Sequence, residues 1–457
     1  MSASVMNLAS DDAVVGTCRP QSAVPTGTPG TRLLANSRAA LGTHYCDVLA
    51  FEWRRRRRRA ESVAFRFDHL KAWDARLASY LRAFRLLGPD GRQSIHERLG
   101  DPLSESELFA VAVSAICGRD RMLLRACIAM VQAMPNFSSA FNAALEWTEW
   151  EDVEFALALW PREDPLRQSF VLRSIAAHEV AIAPGYAADC AARLAPTPYV
   201  QLAALRCGLA RGEAGWVANA PALFDATHAE LRLAAVEALL VFGSDPERRD
   251  ALARLRDLAL GRGRVAMLAT RALMPLQCGP AHQLLEALLG RPDRIRQLIA
   301  AMGWSGDLIH LPALVEWLAD AAFARPAAAA LTELTGSVPA ADGWEAMSPV
   351  ADDGGGVGDE AMPDDVDEGL PWPDAERFAA WWDARAGGCP VGPRYLGGQP
   401  RSAATLLETL VDGRLSSRPQ AAWLVQLSAR GRRLGHLAPA FRQQELIDVI
   451  EEARGRG

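Results

Sequence analysis

The chain of 457 residues is 50% hydrophobic and 23% charged, the balance of an ordinary folded protein. It contains no run approaching eighteen apolar residues and no basic start followed by an apolar core. The sequence therefore predicts neither a membrane span nor a secretory signal. Its eight cysteines form no C-x-x-C pair, which predicts reduced thiols in a cytoplasmic protein.

At the start of the chain, residues 1–43 are expected to form a disordered extension and residues 44–100 a helical hairpin. Apolar positions in the second helix of this hairpin recur every three or four residues and so mark one buried face. They are Leu70, Trp73, Leu77, Leu81 and Phe84. The sequence GPDG at 88–91 is expected to end that helix, because glycine and proline break helices.

The first helix of the hairpin ends in six consecutive arginines, Arg54, Arg55, Arg56, Arg57, Arg58 and Arg59. One interpretation is a surface for nucleic acid or another anionic partner. The other is a solvated helix face, with one or two of the six paired internally, because a run of six points in every direction around a helix. We favour the second interpretation and keep all six as candidate interaction residues.

Residues 101–336 are dominated by short amphipathic helices that end at Gly, Pro or Asp. Four comparable helix positions, Arg173, Arg206, Glu237 and Arg271, follow one another at spacings of 33, 31 and 34 residues. A helix pair repeated at this interval buries its apolar face only by stacking on its neighbours. Strand patterns are almost absent. The sequence therefore predicts an all-α helical-repeat solenoid.

Residues 337–370 are rich in Gly, Pro and acids and are expected to be a solvated linker. Between Ala341 and Glu376 there are twelve Asp or Glu and no basic residue. Outside that segment 49 basic residues face 43 acidic ones, so the remainder of the chain is mildly basic.

Residues 371–457 are expected to form a last helical repeat and a C-terminal cap. Phe378, Trp381 and Trp382 share one helix face, and aromatic side chains at that spacing indicate packing. Trp423 is expected to be structural as well. The pair Arg394 and Tyr395 follows a turn and is a further candidate for interaction.

Motifs that would indicate chemistry are missing from the sequence. It contains no G-x-S-x-G, no Walker motif and no H-E-x-x-H, and its histidines are dispersed. We therefore expect no catalytic residue, no cofactor and no metal site.

Two resemblances add to this interpretation. The helix pairs, with small residues at Ala203-Ala204 and Ala234-Ala235, resemble HEAT repeats of the shorter bacterial kind. The segments HYCDVLAFEWRRRRRRA and GPRYLGGQP, within residues 44–457, resemble an uncharacterised proteobacterial HEAT-repeat family. In some genomes, members of that family are encoded beside type VI secretion genes for spike and adaptor proteins. The resemblance implies a role in handling secreted effectors.

The leading functional hypothesis is a non-enzymatic scaffold that binds a protein partner, such as a secretion effector, adaptor or spike protein. The alternative is a nucleic-acid-binding HEAT-like protein or an enzyme resembling a DNA glycosylase. The modest basic balance of the chain argues against nucleic acid, because binding to phosphates usually requires clustered positive charge. No membrane partner is expected.

Overall fold

A computed structural model describes residues 29–181, 197–347, 367 and 369–455. Residues 1–28 of the predicted extension and residues 348–366 and 368 of the predicted linker lie outside the described residues, as do 182–196 in the predicted array. In the described part, the elements are helices apart from one pair of two-residue strands and two isolated bridges. The prediction of an all-α chain is confirmed.

The chain divides into two compact units. The first contains residues up to Trp53 together with Arg76–Leu194, and the second contains Arg54–Ala75 together with Ala195–Gly457. The boundary crosses both helices of the predicted hairpin, α1 (Pro29–Arg59) and α2 (Phe67–Arg98). Residues 44–100 contain the two consecutive helices of the predicted hairpin, and each helix is divided between the two units.

Helix α1 also begins earlier than the sequence indicated. Residues 29–43, expected to be disordered, belong to the helix, and the Ala39 carbonyl accepts a hydrogen bond of 2.7 Å from the Ser94 hydroxyl. Helix α2 is interrupted rather than ended at the GPDG sequence. Gly88 has φ +68, a left-handed value that glycine adopts without strain, and the helix resumes beyond it.

The first unit packs its helices around one hydrophobic core. Trp53 stacks on Phe109 with ring centres 4.4 Å apart, and Phe141 contacts both Trp160 and Phe170 edge to face. Its remaining helices are α3 (Glu105–Cys117), α4 (Arg121–Ala133), α5 (Ser138–Trp147), α6 (Trp150–Ala158) and α7 (Pro165–Ala177).

The second unit contains a helical-repeat array in two layers. One layer, called the helix row below, is formed by α8 (Pro198–Arg211), α9 (Ala229–Phe242), α11 (Gly263–Leu273), α13 (Ile295–Ser305) and α15 (Ala324–Thr335). The other layer contains α10 (Asp245–Ala259), α12 (Gly279–Leu289) and α14 (Leu311–Glu316). Each helix of the row packs against the next helix of the row.

The repeat spacing read from the sequence matches this architecture. Arg206, Glu237 and Arg271 lie on consecutive helices of the row, as the predicted equivalence requires. The series continues to Trp304 on α13 and Glu333 on α15, at spacings of 33 and 29 residues. Both helices of each pair bury apolar residues, and stacking on the neighbouring pairs covers them.

The second unit is completed by further elements after the row. They are α16 (Pro339–Asp342), α17 (Ala375–Asp383), β1 (Tyr395–Leu396), β2 (Gln399–Pro400), α18 (Ala403–Asp412), α19 (Arg418–Ala429) and α20 (Ala440–Gly455). The two strands pair in antiparallel register, Tyr395 opposite Pro400.

The predicted linker 337–370 is ordered at both of its ends. Trp344 is fully buried and its carbonyl accepts the Asp374 backbone N–H at 2.7 Å. The Trp372 carbonyl accepts the Ala346 N–H at 2.8 Å, so the two ends of the segment lie side by side. Residues 337–347 and 370 are therefore part of the packed unit, which corrects the predicted limits of the linker.

Residues 54–75 belong to the second unit because they pack on its C-terminal helices. Phe67 and Leu70 are fully buried against Leu410 and Ala421 in one hydrophobic cluster. The guanidinium carbon of Arg418 lies 3.7 Å from the centre of the Phe67 ring. This cluster joins an early segment of the chain to its last hundred residues.

Within the described residues, no helix combines the length and the apolar composition that crossing a membrane requires.

A buried ion pair also joins residues 54–75 to the C-terminal part of the second unit. Arg56 and Asp74, each with a side chain only 3% exposed, form two contacts of 2.6 and 3.0 Å. Arg56 also donates to the carbonyls of Leu437 and Ala438, and Asp74 accepts the Ala440 backbone N–H. Both charged groups of the pair therefore have hydrogen-bond partners, which burial of a charge requires.

We expect Arg56→Met to lower the free energy of unfolding by about 3–5 kcal/mol, because it leaves the Asp74 carboxylate buried without a cation. Urea denaturation measures the loss. The matched control is the exposed neighbour Arg54→Met, which should change stability by less than about 0.5 kcal/mol. Equal effects of the two substitutions would contradict the structural role of Arg56.

Candidate interaction site

The arginine run at 54–59 does not form one uniform surface. Arg56 is buried in the ion pair with Asp74, so its assignment as an interaction residue is wrong. Arg59 is half-buried, and its guanidinium lies 5.2 Å from the Phe65 ring and 5.7 Å from the Trp73 ring. Arg54, Arg57 and Arg58 are exposed and Arg55 is half-buried. A continuous anion-binding track along this run is therefore not present.

The second predicted pair is also structural. Tyr395 is only 3% exposed and donates its hydroxyl to the Pro390 carbonyl at 2.9 Å, so it is not an interaction residue. Arg394 forms an ion pair with Asp307. Both side chains are held against the array because the backbone between them docks on the ends of the helix row.

The aromatic residues predicted to be structural contribute to different contacts. Phe378 is fully buried and packs edge to face on Trp344 at 5.0 Å, while Trp381 lies 5.7 Å from Phe378. Trp381 and Trp382 are half-buried. Trp344 therefore covers Phe378 on this helix face, whereas Trp423 contacts the helix row.

Trp423 belongs to a row of donors on helix α19. Its Nε1 donates to the Ala272 carbonyl at 2.9 Å, Gln420 donates to Trp304 at 3.0 Å, and Gln426 donates to Leu209 at 2.7 Å. The accepting carbonyls of Ala272, Trp304 and Leu209 lie in the last turns of α11, α13 and α8, respectively. The last four carbonyls of a helix have no partner within it. Helix α19 therefore caps the carboxyl ends of the row from outside.

The segment around β1 continues this capping with backbone groups. The Tyr395 N–H donates to the Gly306 carbonyl at 2.8 Å, and the Gly397 N–H donates to the Glu333 carbonyl at 2.7 Å. A Cβ on Gly336 would lie 2.4 Å from the Gly397 carbonyl oxygen, so only glycine permits this approach. We call the ends covered by residues 394–433 the carboxyl edge of the helix row.

Removing one of the three side-chain donors should leave a buried carbonyl without a partner. We expect Trp423→Phe, Gln420→Met and Gln426→Met each to lower the free energy of unfolding by about 1–3 kcal/mol. Thermal or urea denaturation measures the change. Ser428→Ala, an exposed substitution on the same helix, is the control and should change stability by less than about 0.5 kcal/mol.

A charged cluster lies beside the carboxyl edge. Glu61 accepts a hydrogen bond of 2.9 Å from His436 Nε2 and one of 3.0 Å from Arg271. Burial alone would raise the pKa of Glu61, but His436 and Arg271 outweigh it and hold that pKa far below its usual range. Burial lowers the pKa of His436, although Glu61 opposes this. The structure thus favours a neutral His436 that donates to an ionised Glu61.

Both lowered pKa values make the protein less stable in acid. The unfolded chain takes up a proton on a histidine at its ordinary pKa of about 6.5, before the folded chain protonates His436. Stability is therefore complete above that pH and falls as the pH is lowered through the folded pKa. We expect the melting temperature to drop between about pH 7 and 5, and His436→Gln to flatten that drop. An unchanged slope would contradict the assignment.

The opposite ends of the row form a cavity of about 540 Å³, within the range of ligand pockets. We call it the arginine cavity. Arg262, Arg294 and Arg296 contribute its positive charges, and Asp293 contributes one negative charge. Its lining residues are Arg262, Gly263, Met267, Pro292, Asp293, Arg294, Ile295, Arg296, Gln297 and Phe323.

The arginine cavity lies at the amino ends of three helices. Helix α11 follows Arg262, helix α13 follows Arg294 and helix α15 follows Phe323. None of these three helices has a side-chain cap or an acidic residue in its first turn. The amino end of a helix carries a partial positive charge, so the arginines add to a field that is already positive.

A carboxylate of the chain already lies at the rim of this cavity. Both oxygens of Asp367 lie within hydrogen-bonding distance of Arg296 Nη1, at 2.6 and 2.8 Å. Arg325 donates to the backbone carbonyls of Asp367 and Leu370. The residues that end the acidic segment are thus bound by the arginines of the row.

The arginine cavity contains none of the candidate residues named from the sequence. A signal was present in the repeat register, because Arg262 and Arg294 are separated by 32 residues and so are Arg264 and Arg296. Arginines at the repeat spacing fall on equivalent positions of neighbouring pairs, and equivalent positions line one edge of an array.

Other parts of the described chain offer less chemistry. No group of three or more His, Cys, Asp or Glu side chains there could hold a metal ion. Burial raises the pKa of Cys46 and of Cys127 to about 12, which makes both thiols unreactive. A second cavity of about 470 Å³ contains Arg66 and Arg414 beside three carboxylates, Glu408, Asp412 and Glu451.

Comparisons with protein-family models, with curated proteins and with solved structures gave no match to this chain.

Proposed function

We propose that the protein is a non-enzymatic scaffold that binds a protein partner at the arginine cavity. The observation that carries the proposal is the contrast between the two edges of the helix row. Residues 394–433 of the chain itself cover the carboxyl edge with hydrogen bonds. The amino ends of α11, α13 and α15 instead surround a cavity with exposed arginines at its rim.

The lining of the cavity supports protein binding. Half-buried Met267, Ile295 and Phe323 supply apolar surface, and exposed Arg262 supplies charge at the rim. Apolar residues surrounded by polar ones are typical of protein interfaces, in which arginine, methionine and aromatic residues are enriched. Helical-repeat arrays bind their ligands along extended rows of equivalent positions.

The HEAT-like character of the repeats and a role in type VI secretion are part of the same proposal. They rest on the resemblance of residues 44–457 to the proteobacterial HEAT-repeat family, and they suggest an effector, adaptor or spike protein as the partner. The alternative of a nucleic-acid-binding or DNA glycosylase-like protein draws less support from the geometry. Arg56, at the centre of the arginine run, is buried and paired.

A pull-down from a lysate of the source cells, with identification by mass spectrometry, tests the proposal. We expect the tagged chain to capture a specific protein, and Met267→Gln to reduce that capture because it places a polar group on the apolar wall. Exposed Arg249→Gln on helix α10 is the control and should capture the partner normally. Capture that survives Met267→Gln unchanged would place the interaction elsewhere, and retention of nucleic acid alone would favour the alternative.

A further inference from the structure

We propose that the arginine cavity recognises an acidic segment of its protein partner, with one apolar side chain of that segment inserted between the carboxylates. This inference rests on the proposed scaffold function and deepens it by naming the chemistry of the ligand. It follows from three features of the described residues.

The first feature is the accessibility of the arginines. Arg262 is 83% exposed and reaches Asp293 at 3.2 Å through one nitrogen, while its planar guanidinium carries five donors in total. Arg264, two residues further along the chain, is nearly as exposed, but it does not line the cavity and lies 3.9 Å from Glu230 on the preceding helix of the row, α9. Arg294 is different, because its guanidinium donates to Gln297 and to the Leu260 carbonyl and so contributes its field rather than a contact.

The second feature is the carboxylate of Asp367, which Arg296 of the cavity already binds. Arg296 binds the side chain of Asp367, which is only 13% exposed, and Arg325 binds the backbone carbonyls on either side of the following turn. The guanidinium of Arg325 also lies 5.2 Å from the Trp372 ring. Arg296, which lines the cavity, therefore already binds a carboxylate of the chain itself.

The third feature is the apolar wall. Met267, Ile295 and Phe323 line the cavity between the arginines. Its volume of about 540 Å³ exceeds that of a single leucine or phenylalanine side chain. A partner segment can therefore place one apolar residue in the cavity while a carboxylate of the segment reaches Arg262 at the rim. A charge contact at a partly desolvated rim contributes to the specificity and the association rate of binding.

The same geometry disfavours nucleic acid. A phosphate backbone requires a track of several arginines or lysines, whereas the lining of this cavity contains a single strongly exposed arginine, Arg262. Phe323, the aromatic residue of the lining, already lies 5.8 Å below the guanidinium of Arg296.

Fluorescence anisotropy with the full-length chain tests the inference. The probe is a labelled peptide of about twelve residues in which Asp and Glu surround one leucine. We expect binding at about 50 mM salt that weakens at higher salt, because the contacts are partly screened. Replacing the acids of the peptide by Asn and Gln, or its leucine by Ser, should weaken binding about tenfold or more.

The protein variants are Arg262→Glu and, as its matched control, Arg249→Glu. The control makes the same charge change at an exposed position of helix α10, about 16 Å along that helix from its C-cap residue Leu260. We expect Arg262→Glu to weaken peptide binding about tenfold and Arg249→Glu to change it less than about twofold. Equal losses in both would show that only net charge matters and would overturn the inference. Tighter binding of single-stranded DNA of the same length, lost in Arg262→Glu, would also overturn it.

Failure of this inference can be told apart from failure of the proposed function. If the acidic peptide does not bind but the captured partner still depends on Met267, the scaffold function stands and the acidic chemistry is wrong. If the captured partner tolerates both Met267→Gln and Arg262→Glu, the site itself is wrong.

Discussion

The second unit depends on the need of helix carboxyl ends for hydrogen-bond donors. Each helix leaves its last carbonyls without a partner, and the row brings several such ends to one edge. Gln420, Trp423 and Gln426 supply three donors from one helix, and the backbone at Tyr395 and Gly397 supplies two more. The C-terminal segment therefore runs along the array and supplies hydrogen-bond donors to the carboxyl ends of its helices. This explains why it carries amides and an indole at a spacing of three residues where leucines would pack equally well.

This capping also determines where the other charges of the unit lie. Capping the carboxyl edge leaves the partial positive charges of the amino ends together at the opposite edge. Arginines at N-cap positions add to that charge, which is unfavourable for the isolated helices. Asp293 and Asp367 compensate part of it. The arginine cavity thus concentrates positive charges that repel one another, and unfavourable electrostatics of this kind are typical of binding sites.

Some of this organisation was predictable because it follows from local patterns. Apolar periodicity predicted the all-α class, and the spacing of Arg206, Glu237 and Arg271 predicted their equivalent positions in the row. The helix-geometry argument for the arginine run required one or two internal partners, and Arg56 has one. It could not indicate which arginine, because Asp74 reaches Arg56 only through the turn between α1 and α2. The start of α1 at Pro29 was missed because residues 29–43 lack a clear apolar face.

The misassigned residues share a different cause. Arg394 and Tyr395 follow a glycine and a proline, which locally indicate an exposed turn. Their burial depends on Gly306 and Gly336, which end helices some sixty to ninety residues earlier and admit the backbone closely. Interactions between distant backbone segments leave little trace in side-chain patterns. The arginine cavity is indicated in the sequence only when neighbouring repeats are compared, because Arg262 and Arg294 then occupy equivalent positions.

The hydrogen bonds from α19 to the carboxyl edge also limit where a partner can bind. A partner helix entering at the carboxyl edge would have to displace α19 and replace three donors, each worth about 1–3 kcal/mol when its carbonyl is left buried and unpaired. The combined loss, about 3–9 kcal/mol, is comparable with the whole stability of a typical domain, about 5–15 kcal/mol. At the amino edge a ligand meets no such barrier, because it adds negative charge where the helices and arginines have concentrated positive charge. Under the proposed function, a partner bound at the arginine cavity leaves the hydrogen bonds of the carboxyl edge intact.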